Sequence, residues 1–162
     1  MAAPARYRRV RRVKLVAAQG AAVAVAAVFL AIGVAGFLPG ITTGLARLQW
    51  LGRPGDGDVA QILGVFDTSA GHNLIHLGFG IGGLLLARTF DRSRLYLIGG
   101  GLAYLGLWLW GTVDAEPREW LPLNGADNWL HLAIGVTMVI LGLTLAGTRV
   151  PTGAEGELLI PD

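Results

Sequence analysis

The chain has 162 residues, 53% hydrophobic and 15% charged, with 25 glycines, no cysteine and a formal net charge of +2. A soluble domain carries about 25% charged residues; here Leu15–Ala46, Thr68–Ala87, Leu95–Val113 and Asn128–Thr148 together hold 92 residues without one Asp, Glu, Lys or Arg. That apolar content excludes a disordered chain, and the charge-free windows exclude a coiled coil, which needs charged e and g positions. The missing cysteine excludes disulfides, thiolate metal sites, iron–sulfur clusters and thiol nucleophiles.

In chain order, residues 1–14 form a basic arm, with Arg6, Arg8, Arg9, Arg11, Arg12 and Lys14 ahead of a first span near residues 15–38. A hydrocarbon core of about 30 Å takes about 20 apolar residues as a helix. A secretory signal has an apolar core of only about 7–15 residues, so this longer stretch is expected to remain as a span. The first outer loop, residues 39–69, carries Ile41, Leu45, Leu48 and Leu51 at helical spacing beside Trp50, which predicts a helix along the outer interface. Gly52–Gly57 follows as a turn and Val59–Phe66 as a second apolar stretch, and the whole loop is expected to cap the helices. The second and third spans fall near 70–87 and 95–113, joined by a link bearing Arg88, Arg92 and Arg94. The fourth falls near 128–146, completing a membrane domain over residues 15–147. Residues 148–162 make a polar, loosely ordered tail.

Basic residues are retained on the cytoplasmic side. The arm, the 88–94 link and the tail hold ten basic and four acidic residues, against three basic and seven acidic in the other two loops. Both termini are therefore expected in the cytoplasm, in a bacterial inner membrane. The basic balance reports topology, with lipid as the partner and no nucleic acid.

A shift of 55 residues lays Gly71-His72-Asn73-Leu74-Ile75-His76-Leu77-Gly78-Phe79-Gly80 on Ala126-Asp127-Asn128-Trp129-Leu130-His131-Leu132-Ala133-Ile134-Gly135. Asn, His, Leu and Gly coincide, and each copy opens a span entered from outside. The expected fold is all-α, a four-helix bundle built from two helical-hairpin repeats with the same orientation. Gly78, Gly80, Gly82 and Gly83, Gly99–Gly101 and Gly106, and Gly135 and Gly142 offer surfaces for close helix packing. Tyr104, Trp108 and Trp110, with Trp120 and Trp129 beyond, are expected in an aromatic belt at the outer interface.

All three histidines lie in the repeated motif. His72 and His76, and likewise Asp127 and His131, are four apart and share a helical face. Asn73 and Asn128 precede His76 and His131 by three residues and lie on the same side. One reading is structural: Asn128 or Asp127 caps span four, Ser69 or Thr68 caps span two, and Asn73, His76, Asn128 and His131 form a polar interhelical motif. A second gathers His72, His76, Asp127 and His131 around a divalent metal, zinc first. A third binds a haem axially between His76 and His131. A proton or small-solute pathway is a further alternative. No phosphate loop and no Ser–His–Asp arrangement is distinguishable, so no catalytic residue is assigned and the expectation leans away from an enzyme.

The segments Gly33-Val34-Ala35-Gly36-Phe37-Leu38-Pro39-Gly40, Leu63-Gly64-Val65-Phe66, His72-Asn73-Leu74-Ile75-His76-Leu77, and Leu121-Pro122-Leu123-Asn124 leading to Asp127-Asn128-Trp129-Leu130-His131-Leu132 resemble a bacterial membrane family named domain of unknown function 4383. The resemblance runs from about Ala24 to Gly147. It implies a four-span integral membrane protein and brings no activity, substrate or cofactor. The favoured expectation is a structural or interacting membrane protein, with a metal- or haem-binding protein as its rival.

Overall fold

The computed structural model describes residues 7–10, 17–51, 59–113, 123–145 and 158–161. Four helices carry it: α1 Ala17–Ala35, α2 Ala70–Leu86, α3 Phe90–Val113 and α4 Gly125–Thr144. α2 and α4 lie within a few residues of their charge-free windows, α1 stops at Ala35 well before its window ends at Ala46, and α3 starts five residues ahead of its window and takes in Asp91, Arg92 and Arg94. Three of them, α1, α3 and α4, are long and apolar enough to cross a membrane, whereas α2 is a shorter apolar helix of 17 residues.

The helices run up and down in sequence, with α1 along α2 and α3 along α4. Their interfaces are made at glycine. Gly80 of α2 lies against Leu30 and the Ala26 carbonyl of α1, and Gly135 of α4 lies against Leu105 and the Gly101 carbonyl of α3. Beyond the end of α1, Gly36 leaves the space that Asn73 fills, and near the end of α3 Gly111 leaves the space that Asn128 fills. Gly83, Gly100, Gly101 and Gly142 also face a neighbouring helix closely. Gly78, Gly82 and Gly106 face open space and Gly99 only grazes Leu95, so the expected packing role does not extend to them.

The interior joins Phe29 of α1, Phe79 of α2 and Tyr96 and Tyr104 of α3, with Leu97 and Met138 beside them. Ring centroids lie 4.9 Å apart for Phe29 and Phe79, 5.1 Å for Phe29 and Tyr104 and 5.5 Å for Phe79 and Tyr104. Tyr104, expected in the interfacial belt, is buried here, while Trp129 and Trp50 stand exposed. Trp120 lies outside the described residues. Large aliphatic side chains such as Ile75, Leu85, Leu102 and Ile140 face outward, and apart from this interior cluster the buried helix positions go mainly to Ala, Gly, Ser, Asn and His. This is the reverse of a soluble bundle.

The all-α expectation needs correction. The first outer loop folds as a three-stranded antiparallel sheet of β2 Thr42–Thr43, β3 Ala60–Ile62 and β4 Phe66–Thr68, in that order. Thr42 pairs with Ile62, and Ile62 in turn with Phe66. The predicted interfacial helix shrinks to one 3-10 turn at Leu45–Arg47, because Gly40 and Gly44 have φ of 87° and 65° and end any right-handed helix there. Leu63 and Gly64, both with positive φ, close the β3–β4 turn in the sense that a hairpin with right-handed twist favours. The Gly52–Gly57 turn lies outside the described residues.

At the other end, β1 Tyr7–Val10 pairs antiparallel with β5 Leu158–Pro161. The last residues of the tail are thus held in a strand, contrary to the loose order expected; the rest of the tail and most of the basic arm lie outside the described residues. Gln19 donates to the Arg88 carbonyl at 2.8 Å, tying α1 to the α2–α3 link, and Arg94 to the Gly142 carbonyl at 3.1 Å, tying the first turns of α3 to the end of α4.

A Cβ at position 36 or 111 collides with a buried asparagine. Gly36→Ala and Gly111→Ala should each destabilise the fold by about 1–3 kcal/mol, the usual cost of overpacking. Gly78→Ala and Gly106→Ala, in open helical positions, should stabilise it by about 0.5–1 kcal/mol. Thermal unfolding in detergent distinguishes the two pairs by the direction of the shift.

Candidate functional site

The sheet and the loop that carries it sit over the end of α1 and the starts of α2 and α4 and satisfy backbone groups there. A helix leaves its first four N–H and last four C=O groups without helical partners. Thr42 Oγ1 donates to the Ala35 carbonyl at 2.8 Å and so closes the end of α1. Ala70 N and Gly71 N donate to the carbonyls of Gln49 and Trp50, and Ser69 Oγ accepts from His72 N at 3.1 Å, which closes the start of α2.

The start of α4 is closed by a capping box. Asn124 Oδ1 accepts from Asp127 N at 3.0 Å, and Asp127 Oδ2 accepts from Asn124 N at 2.9 Å. Asp127 Oδ2 also accepts from the Asp67 amide of β4 at 3.1 Å. Asn124 Nδ2 donates to the Val65 carbonyl at 2.7 Å and to Asp67 Oδ1 at 3.0 Å, and Gln61 Nε2 donates to the same oxygen at 2.8 Å. Ser69 therefore caps α2 as expected, but α4 is capped by Asn124 with Asp127 in support. The Asn-x-x-Asp spacing carried that signal.

Beneath the sheet lies a cavity of about 190 Å³ lined by Ile32, Ile62, Leu63, Phe66, Asp67, Thr68, His72, His76, Asp127, Leu130 and His131. All three histidines and Asp127 meet there, from two helices. His72 and His76 have ring centroids 4.5 Å apart, and His72 and His131 6.3 Å apart. His76 packs on Phe29 at 5.8 Å and His131 edge-on against Tyr104 at 5.2 Å, so these two imidazoles are backed by aromatic rings.

The motif's two residue types behave differently. Asn73 accepts from Thr68 Oγ1 at 2.6 Å and packs on Gly36, and Asn128 packs on Gly111. The histidines make no such tie. Nδ1 of His72, His76 and His131 is buried without a hydrogen-bond partner, so the expected bonds to Asn or backbone are not made at these atoms. Among the described residues, no three His, Asp or Glu side chains are gathered closely enough to hold a metal ion as they stand. Below the cavity, the Phe29–Phe79–Tyr104 cluster closes the interior, which gives no support to a polar pathway past the histidines.

The family profile described as Domain of unknown function (DUF4383) matches residues 19–144, from the first turn of α1 to the last residue of α4. The chain belongs to the DUF4383 family. No curated protein and no solved structure matches it. The DUF4383 match covers the four helices, the sheet and every residue of the cavity.

The capping box yields a specific expectation. Asn124→Ala removes one acceptor and two donated hydrogen bonds and should cost about 1–2 kcal/mol. Asp127→Ala strands two amides and should cost about 1–3 kcal/mol. Both variants should speed amide hydrogen exchange in β4 more than in α1, because Asp67 N loses its acceptor or its neighbour.

Proposed function

We propose that this DUF4383 chain is a multi-pass protein of the bacterial inner membrane, with four spans and both termini in the cytoplasm, serving a structural or interacting role. The observation that carries the reading is the distribution of side chains: around one central cluster of Phe29, Leu97, Met138 and the two tyrosines, the helix interfaces are small and polar and most large aliphatic side chains lie outside. In water that arrangement exposes the apolar surface that folding ought to bury, whereas in lipid it is the expected one. α2 is the short member, and its place between two long helices of opposite direction gives it the same course.

Support for the topology comes from the two ends of the molecule. β1 and β5 pair, so both chain ends share a side, as an even number of spans requires. The Arg88–Arg94 link lies beside the start of α1 and the end of α4. The outer ends are covered by the acid-bearing sheet.

The proposal includes an internal duplication of helical hairpins. An offset of 55 carries the caps, Ser69 onto Asn124, as well as Asn73, His76 and Gly80 onto Asn128, His131 and Gly135. The first helices correspond at an offset of 75: Ala26, Leu30 and Gly36 onto Gly101, Leu105 and Gly111. With those offsets, the Gly80–Leu30 and Gly36–Asn73 contacts recur as Gly135–Leu105 and Gly111–Asn128. In this reading Asn73 and Asn128 lock the outer half of each hairpin. The sheet belongs to the extra length of the first hairpin.

Because the chain has no cysteine, single introduced thiols report the sides directly. Leu63→Cys, in the exposed β3–β4 turn, should react with a membrane-impermeant maleimide in intact spheroplasts, and Asp91→Cys should react only after permeabilisation. The reverse pattern overturns the orientation, and equal labelling of both before permeabilisation overturns the membrane placement.

A further inference from the structure

We infer that the cavity beneath the sheet is a binding site for one divalent transition-metal ion of the zinc and cobalt type, held by His72, His76 and His131. The inference goes beyond the membrane reading and does not depend on the number of spans. It starts from which polar groups around the cavity are still free to bind. Asp127 is taken up by the two amides of Asn124 and Asp67, Asp67 Oδ1 by Asn124 and Gln61, and Thr68 Oγ1 by Asn73. The remaining lining is aliphatic or aromatic. The three imidazoles are more than nine-tenths buried, and each has a buried Nδ1 with no partner.

An organic ligand of ordinary polarity is recognised by a mixture of donors and acceptors, and this cavity offers imidazole alone. Imidazole is the ligand that suits zinc, copper, iron and nickel, while magnesium and calcium select oxygen. At about 190 Å³ the space is below the roughly 300–1,000 Å³ of small-molecule and cofactor sites, which disfavours a haem between His76 and His131. It is ample for an ion with one or two waters, each taking about 30 Å³.

The spacing is compatible as well. With metal–nitrogen bonds of about 2.0–2.1 Å, two imidazoles on one tetrahedral ion have ring centroids roughly 5 Å apart. The His72–His76 and His72–His131 separations are 4.5 and 6.3 Å. The donor atoms do not converge as they stand, so binding has to turn the imidazoles about both side-chain torsions and draw His131 closer to His72. Three histidines and a water would complete a tetrahedral ion. Asp127 is left out of the ligand set, since withdrawing it uncaps α4 and frees β4.

The test uses full-length protein without a polyhistidine tag, purified in detergent and stripped with chelator. Cobalt(II) titration should give the visible absorption of a tetrahedral nitrogen site at one equivalent, and zinc(II) should displace it and raise the thermal midpoint. His76→Gln and His131→Gln should each weaken cobalt binding by more than about tenfold. Asp127→Asn should leave it nearly unchanged. Near-ultraviolet circular dichroism of each variant establishes that it is folded, and if a glutamine variant is not, His72→Gln takes its place in the comparison. Wild-type protein that binds neither ion overturns the inference, as does binding that survives in the folded histidine variants. Thiol labelling of the two turns is independent of either result, so a failed metal site and a failed topology are told apart.

Discussion

The backbone at the outer ends of the helices has to be hydrogen-bonded somewhere, and near a membrane the penalty for leaving it unpaired is several kcal/mol per group. The segment that joins α1 to α2, with the small sheet at its centre, meets that demand for three helices. Thr42 closes α1, the carbonyls of Gln49 and Trp50 receive the first amides of α2, and Asp67 joins the capping box of α4. Each strand is two or three residues long and could not persist alone. The sheet is stable because the helix ends hold it, and the helix ends are satisfied because the sheet is there. The buried cavity with its three histidines is a product of this mutual arrangement.

Beneath the sheet, asparagine, glycine and histidine divide the work. The asparagines fill spaces that exist only because their neighbours are glycine, which brings the backbones of α1 and α2, and of α3 and α4, close together. His76 and His131 stand on the same helices about one turn further in, with His72 just ahead of Asn73. The aromatic cluster of Phe29, Phe79 and Tyr104 then seals the polar layer from the rest of the interior.

The helices were legible because absence of charge over about 20 residues is a strong signal, although α1 stops well short of its window's end and α3 starts ahead of its own. Convergence of His72, His76, Asp127 and His131 on one cavity was also implied, since i and i+4 positions share a face and the two motifs match. The sheet was not legible, because strands of two or three residues carry no alternation to detect. Gly40 and Gly44 did mark the place where helical spacing could not become a helix. Gly36 and Gly111 look like ordinary glycines in sequence; their partners depend on how two helices slide along each other. Tyr104 was misplaced for a related reason: an aromatic near a helix end suits an interface equally well, and only the neighbouring Phe29 and His131 draw it inward.

On the proposed four-span reading, the modest length of α2 has a consequence for the surrounding lipid. Seventeen residues at 1.5 Å each rise about 25 Å, some 5 Å less than the usual hydrocarbon thickness. The sheet is joined directly to the start of that helix, with its backbone bonds already made, so it can sit at the level of the lipid carbonyls without exposing unpaired groups. On this flank the bilayer has to thin or the molecule has to tilt, at a cost of fractions of a kcal/mol per ångström. Hydrophobic mismatch is thus asymmetric around the molecule, largest where the sheet and the histidine cavity lie. A thinner membrane, or a neighbouring protein that relieves the mismatch on that side, would be favoured by the same few ångströms.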